Sequence, residues 1–118
     1  MLRILVSIAP RSYRESLALA LQRHRPDSEV RISPPEVLER EVGSFEPHVI
    51  VCNDGVSREV RDLACSWVEI LFIDDLHANI SVDGRTETVK DVGVDDLLEV
   101  LDAAWRTVFG AEARPSRR

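Results

Sequence analysis

The sequence predicts one α/β domain with three layers, in which helices cover both faces of a doubly wound, mostly parallel five-stranded sheet. Two observations carry this prediction. Short apolar runs that suit buried strands alternate along the chain with segments whose apolar residues recur at helical spacing. The chain has 118 residues, 44% of them hydrophobic, which is enough for one core. Because right-handed crossovers favour parallel pairing, alternating strands and helices predict a layered sheet.

The first elements of the chain are predicted to be a strand, a helix and a second strand. Residues 4–8 form a nearly continuous apolar run, which is typical of a central strand. An S-x-x-E capping box from Ser12 to Glu15 predicts the start of the first helix, which should end near His24. Residues 29–32 alternate polar and apolar side chains, as an edge strand does.

The middle of the chain is predicted to repeat this alternation. Pro35 suits the first turn of a second helix, because its missing amide has no helical partner there. Apolar runs at residues 49–52 and 68–73 predict the third and fourth strands. A short third helix should lie between them, with Arg58 and Asp62 paired across one turn.

The last part of the chain predicts a hairpin and a helix. Asp83 and Gly84 form a two-residue turn signal, so a β-hairpin is expected near residues 79–89, with its second arm as a candidate fifth strand. Gly110 stands where a helix C-cap belongs. The preceding helix has one apolar face, made by Val94, Leu97, Leu98, Leu101, Trp105 and Val108.

Composition limits the function classes. We expect one domain over residues 1–110 and a flexible tail over residues 111–118. The net charge of −6 argues against nucleic acid as a partner, because binding would require clustered basic residues. No apolar run is long enough to predict a membrane span, and a cytoplasmic protein is expected. Cys52 and Cys65 lack the spacing of a zinc or redox site, so we expect reduced thiols.

Residues 3–6, together with the run from Pro47 to Asp54, resemble the receiver domain of bacterial response regulators, and the similarity of length and element order extends over about residues 2–109. The resemblance implies a flavodoxin-like sheet of order 2-1-3-4-5. It also implies signalling through phosphorylation of an aspartate at the end of strand three. The family places two Mg²⁺-binding acids after strand one and a lysine at the end of strand five.

The positions implied by that resemblance carry different residues here. The two acid positions fall at about Ile8 and Ala9, and the phospho-acceptor position falls on Asn53, with Asp54 one place later. Lys90 is the lysine nearest the expected position. Without paired carboxylates, Mg²⁺ lacks ligands that would neutralise a transferred phosphoryl group. We therefore expect a degenerate receiver in which efficient phosphotransfer has been lost.

Four residues near the predicted strand ends form a candidate metal site. Asp54, Asp74, Asp75 and His77 follow strands three and four, whose carboxyl ends share the edge where this fold binds ligands. They could hold a divalent cation such as Mg²⁺ or a small ligand. Aspartates also favour turns for purely structural reasons, and that alternative stays open.

Arg11 and Ser12 at the start of the first helix form a candidate anion site, because free amides and the helix dipole favour negative charge there. Helix capping by Ser12 is the structural alternative. No serine, cysteine or threonine has the flanking pattern of an activated nucleophile, so the sequence does not predict an enzyme.

These observations lead to one main hypothesis and two alternatives. The chain is expected to act through phosphorylation-independent binding of a protein partner, which includes a second copy of itself. The last helix, the hairpin or both should then expose apolar residues, and no cofactor is required. The first alternative is a small-ligand or metal-binding domain at the carboxyl edge. The second is an active receiver in which Asp54 serves as the acceptor.

Overall fold

The computed structural model describes residues 1–72 and 76–110, and within them it shows a six-stranded sheet, four α-helices and one 3₁₀ helix. The strands are β1 Arg3–Ser7, β2 Glu29–Ile32, β3 Val49–Asn53, β4 Ser66–Phe72, β5 Leu76–Val82 and β6 Arg85–Lys90. The helices are α1 Arg11–His24, α2 Leu38–Phe45, α3 Arg58–Arg61 and α4 Val94–Phe109, and the 3₁₀ helix Pro35–Val37 leads into α2.

The sheet is mixed, with strand order β2-β1-β3-β4-β5-β6. β1 pairs in parallel with β2 and β3, and β3 pairs in parallel with β4. β5 and β6 are antiparallel to their neighbours. The α/β class and the order of the first four strands are therefore confirmed. The five-stranded expectation was wrong, since both hairpin arms join the sheet and the first arm lies beside β4.

The antiparallel half of the sheet follows from the length of one connection. Only residues 73–75 separate β4 from β5, whereas a parallel crossover needs about a dozen residues. The chain must therefore return beside β4 in the opposite direction. The predicted hairpin itself is confirmed, because Asp83 and Gly84 have φ angles of 50° and 84°, as a tight two-residue turn requires.

Helices cover the two faces of the parallel half. On one face, α1 and α4 pack on the sheet in a cluster that includes Leu17, Leu21, Val51, Ile70, Leu97 and Leu101. On the other face, α2 and the α3 segment enclose a smaller cluster that includes Leu5, Leu38, Val42, Phe45, Ile50 and Trp67. Strand residues alternate between the clusters, because side chains on successive residues point to opposite faces.

Some predicted helix details were wrong. The capping box was wrong because α1 begins at Arg11 with Pro10 as its N-cap, and Glu15 instead pairs with Arg11. The predicted short third helix is confirmed as α3, which has four residues. The predicted Arg58–Asp62 pair is present at 3.7 Å.

Arg25 connects the end of α1 to α4. Its Nε donates to Asp102 Oδ1 at 2.9 Å, and its Nη2 donates to Oδ2 at 3.0 Å. Such a two-pronged pair fixes the relative position of the two helices. None of the helices described is both long and apolar enough to cross a membrane. The tail at residues 111–118 lies outside the described residues.

Candidate functional site

Asn53 joins the ends of two central strands. It is the last residue of β3, and its Oδ1 accepts a hydrogen bond of 2.6 Å from the Ala9 backbone amide, just beyond β1. Below this contact, Ile8 is fully buried, and its carbonyl accepts a bond of 3.2 Å from Arg14 Nη1. The side chain at the expected phospho-acceptor position is thus an amide that holds the neighbouring loop.

The candidate metal residues are only partly described. Asp54 is exposed in the turn that follows β3. His77 is half-buried on β5 and lies opposite Leu71 in β4. Since β4 separates their strands, the backbones at these two positions are roughly 10 Å apart. Asp74 and Asp75 lie outside the described residues.

The metal hypothesis therefore stays a prediction. Among residues 1–72 and 76–110, no group of three or more histidine, cysteine, aspartate or glutamate side chains is placed to hold a metal ion. A site of the predicted kind would need Asp74 and Asp75 in addition to Asp54 and His77. Mg²⁺ that also binds a phosphoryl group is usually held by one or two carboxylates together with water.

Arg11 and Ser12 are the first two residues of α1, and both are exposed. Arg11 Nε donates to Glu15 Oε1 at 2.8 Å, and this hydrogen bond and charge raise the pKa of Arg11 above its ordinary value. An anion at this helix end would have to compete with Glu15 for the guanidinium group. The anion site also stays a prediction.

A row of polar side chains crosses the sheet on the face that α2 covers elsewhere. Arg61 lies over the ring of Trp67 at 4.3 Å and pairs with Glu69 at 3.2 Å. Asn79 on β5 donates to Glu69 at 3.0 Å and accepts from the Thr88 hydroxyl on β6 at 2.8 Å. The row therefore gives β4, β5 and β6 a polar outer surface on this face.

Sequence reasoning missed this polar row, although one signal could have found part of it. The turn at Asp83 and Gly84 fixes the hairpin register, and counting back from it places Asn79 opposite Thr88. Glu69 gave a weaker signal, because it interrupts the apolar run at residues 68–73 that predicted the fourth strand. The partner Arg61 comes from α3 and could not be inferred from local spacing.

Two buried titratable groups have shifted pKa values. Burial, with a further contribution from the Glu69 charge, raises the pKa of the Cys52 thiol to about 12, so this thiol is protonated near neutral pH. Burial, together with the Arg3 charge, lowers the pKa of His48, whose Nδ1 accepts the Arg3 backbone amide at 2.9 Å. At pH 7, the His48 ring therefore accepts a structural hydrogen bond, and the protonated Cys52 thiol packs as an apolar side chain.

The hairpin and α4 form an open groove at the edge of the sheet. Its larger part has a volume of about 680 Å³, and a smaller part adds about 230 Å³. Ile80 and Val100 contribute apolar walls, and charged residues line the rim. Of the large hydrophobic side chains described, the hairpin exposes none and α4 exposes Phe109 at 40%. Of the two elements expected to expose apolar residues, α4 therefore does so at Phe109 and the described part of the hairpin does not.

Comparisons of the chain with protein-family models, curated proteins and solved structures found no significant match. The observations that bear on function are therefore the geometry of the carboxyl edge, the polar row and the groove beside β6.

Proposed function

We propose that this chain is a degenerate, receiver-like signalling module that binds a protein partner without phosphorylation. The observation that carries the proposal is the free edge formed by β6 and its groove along α4. Apart from Val89, which is half-buried, every residue of β6 is exposed, and no described strand pairs with its outer side. An unpaired strand edge presents backbone donors and acceptors that a protein partner can use.

The carboxyl edge supports the part of the proposal that excludes phosphorylation. Asn53 cannot form an acyl phosphate as an aspartate does, and its oxygen is already bonded to the Ala9 amide. Ile8 and Ala9 offer no carboxylates in place of the paired acids that would hold Mg²⁺. Asp54 has a carboxylate, but it is exposed to solvent one residue beyond the strand.

The polar row supports the use of the hairpin as an interface. The Asn79 amide on β5 and the Thr88 hydroxyl on β6 give this part of the sheet a polar face, so a partner is not needed to cover a hydrophobic surface. An interface of this kind would be reversible, because backbone hydrogen bonds and charges rather than a large apolar area would stabilise it. Reversible binding suits a signalling module.

An amide NMR titration tests the absence of phosphorylation. Mg²⁺ is added first and beryllofluoride second, as a mimic of the phosphoryl group, and shifts are followed at Ser12, Asn53 and Asp54. We expect no saturable, localised change. Saturable shifts that require both reagents would overturn the proposal and favour an active receiver with Asp54 as acceptor.

Site-specific photo-cross-linking tests the interface. A photoreactive residue is placed at Thr86 on the hairpin or, as a matched control, at the exposed Ser16 on α1. We expect a defined protein adduct at Thr86 and none at Ser16, with a yield that does not change when Mg²⁺ and beryllofluoride are added. Equal adducts at both positions, or none at Thr86, would contradict the proposal.

A further inference from the structure

The backbone groups at the free edge of β6 follow a fixed pattern. In a tight turn with two positive φ angles, the flanking residues Val82 and Arg85 form a hydrogen-bonded pair. Bonding then alternates along an antiparallel strand, so every second residue of β6 directs its N–H and C=O groups away from β5. The residues whose backbone groups face the free edge are Thr86, Thr88 and Lys90.

The groove beside this edge has opposite charges at its two ends. α4 runs antiparallel to β6 along the groove, so Arg106 on α4 lies at the same end as Arg85 on β6. Within the described part of the chain, the basic and acidic ends form no ion pair with each other. The basic end is lined by Arg85 and Arg106, next to Asp83 in the turn, and the acidic end by Asp96 and Glu99, while Glu87 lies between them and lines both parts of the groove.

A surface with this polarity is complementary to itself after a two-fold rotation. We infer that the partner of the β6 edge is a second copy of this chain, paired antiparallel so that the two sheets join across a two-fold axis at Thr88. The inference rests on the proposed function, because it names the occupant of the proposed interface. The rotation places the basic end of each groove beside the acidic end of the other.

A two-fold axis at Thr88 gives the register in which all of the outward-facing backbone groups of β6 form hydrogen bonds. Thr88 pairs with Thr88 of the second copy, and Thr86 pairs with Lys90, so each of these residues both donates and accepts a backbone bond. Arg85 then lies level with Asp91 of the second copy, an exposed residue that directly follows β6. An axis at Glu87 would instead place two carboxylates directly opposite each other, which is unfavourable.

Two variants, each with one new cysteine on β6, test this register. Thr88→Cys is compared with Thr86→Cys, both in a Cys65→Ser background so that the half-buried native thiol does not react. Across the inferred axis, Thr88 faces its own copy, whereas the two Thr86 residues lie about 14 Å apart along the strand. Under mild oxidation, Thr88→Cys should form disulfide dimers at least tenfold faster. Equal rates, or no dimer from either variant, would overturn the inference.

Charge reversal gives an independent measurement on a chain without new cysteines. In sedimentation equilibrium, Arg85→Glu should weaken self-association about tenfold, because two attractive cross-strand charge pairs become repulsive. Arg40→Glu, at an exposed position on α2, is the control with the same charge change and should leave self-association unaltered. Equal effects of the two substitutions would show that net charge, not the β6 edge, governs association, and would overturn the inference.

The same measurements separate this inference from the proposed function. A chain that stays monomeric at millimolar concentration, while photo-cross-linking at Thr86 captures a different protein, overturns the inference and supports the proposed function. A dimer that forms only with Mg²⁺ and beryllofluoride overturns the proposed function, and the cysteine positions then still decide the register. A phosphate-independent dimer cross-linked through Thr88→Cys supports both.

Discussion

Replacing Arg25 with methionine tests how α1 and α4 are held together. The guanidinium group makes two bonds to Asp102, of 2.9 and 3.0 Å, and both side chains are only 11% exposed. Methionine keeps most of the apolar volume but removes both guanidinium bonds to the Asp102 carboxylate. Removal of one partner from a buried pair typically costs about 3–5 kcal/mol, and the residual exposure favours the lower end, about 3 kcal/mol.

Urea unfolding followed by tryptophan fluorescence measures this loss. With a denaturant slope of about 1.5 kcal/mol per molar, a loss of about 3 kcal/mol lowers the unfolding midpoint by about 2 M. Arg58→Met is the matched control, because Arg58 pairs with Asp62 at 3.7 Å with side chains 82% and 56% exposed. The free energy of unfolding of this control should change by less than about 0.5 kcal/mol.

A small effect of Arg25→Met would refute the reasoning. If the variant and the Arg58→Met control shift the midpoint equally, the buried pair does not stabilise the contact between α1 and α4. The double variant Arg25→Met/Asp102→Leu gives a further check. It should be more stable than Arg25→Met alone, because an apolar side chain then replaces a buried carboxylate that has lost the guanidinium group.

Three further predictions concern the buried thiol, the imidazole and the strand-end amide. Because burial raises the Cys52 pKa from 9.0 to about 12, alkylation at pH 8.5 should modify Cys65 and spare Cys52 until urea is added; stability should also fall as pH rises from about 9 to 12, and Cys52→Val should remove that slope. Equal labelling of both thiols in the folded chain would contradict this. Because burial lowers the His48 pKa below 6.5, the unfolded chain binds a proton that the folded chain does not, so stability should decline as pH falls below about 6.5. Urea midpoints for His48→Gln should lack this decline, and an unchanged pH profile would refute the assignment. Finally, Asn53→Ala should cost about 1 kcal/mol by removing the acceptor for the Ala9 amide, while Asn53→Asp restores an acceptor and most of the stability. Equal loss in both variants would argue against that bond.

Local signals in the sequence predicted most elements of the fold. The apolar face of the last helix and Gly110 located α4, which ends at Phe109 with Gly110 at a φ of 96°. The turn at Asp83 and Gly84 located the hairpin. Both predictions depend on side-chain periodicity and on backbone conformations that few residues adopt, and these act over a few residues.

The direction and position of β5 could not be predicted in the same way. Its apolar residues, such as Ala78 and Ile80, suit either a parallel or an antiparallel neighbour of β4. The resemblance to receivers favoured a helix and a parallel strand after β4. The short connection at residues 73–75 was the contrary signal, because it is too short for a crossover.

The capping box shows a different limit of sequence reasoning. Ser12 and Glu15 have the spacing of the motif, but Arg11 competes for the same carboxylate at 2.8 Å, and the N-cap is Pro10, two residues before Ser12. Pairs at four-residue spacing and capping pairs overlap in sequence, so the pattern alone does not decide between them.

The two halves of the sheet differ in how they meet solvent, and this difference argues for where the chain interacts. The parallel half is buried on both faces by α1, α2 and α4, and its carboxyl edge is closed by the Asn53 contact with Ala9. The antiparallel half has one face hydrated by the polar row and a free edge along β6. A strand edge with charged side chains resists indiscriminate pairing, yet it can accept a partner whose charges match in order. The chain itself carries that matching order, with Arg85 at the start of the edge strand and Asp91 directly after its end.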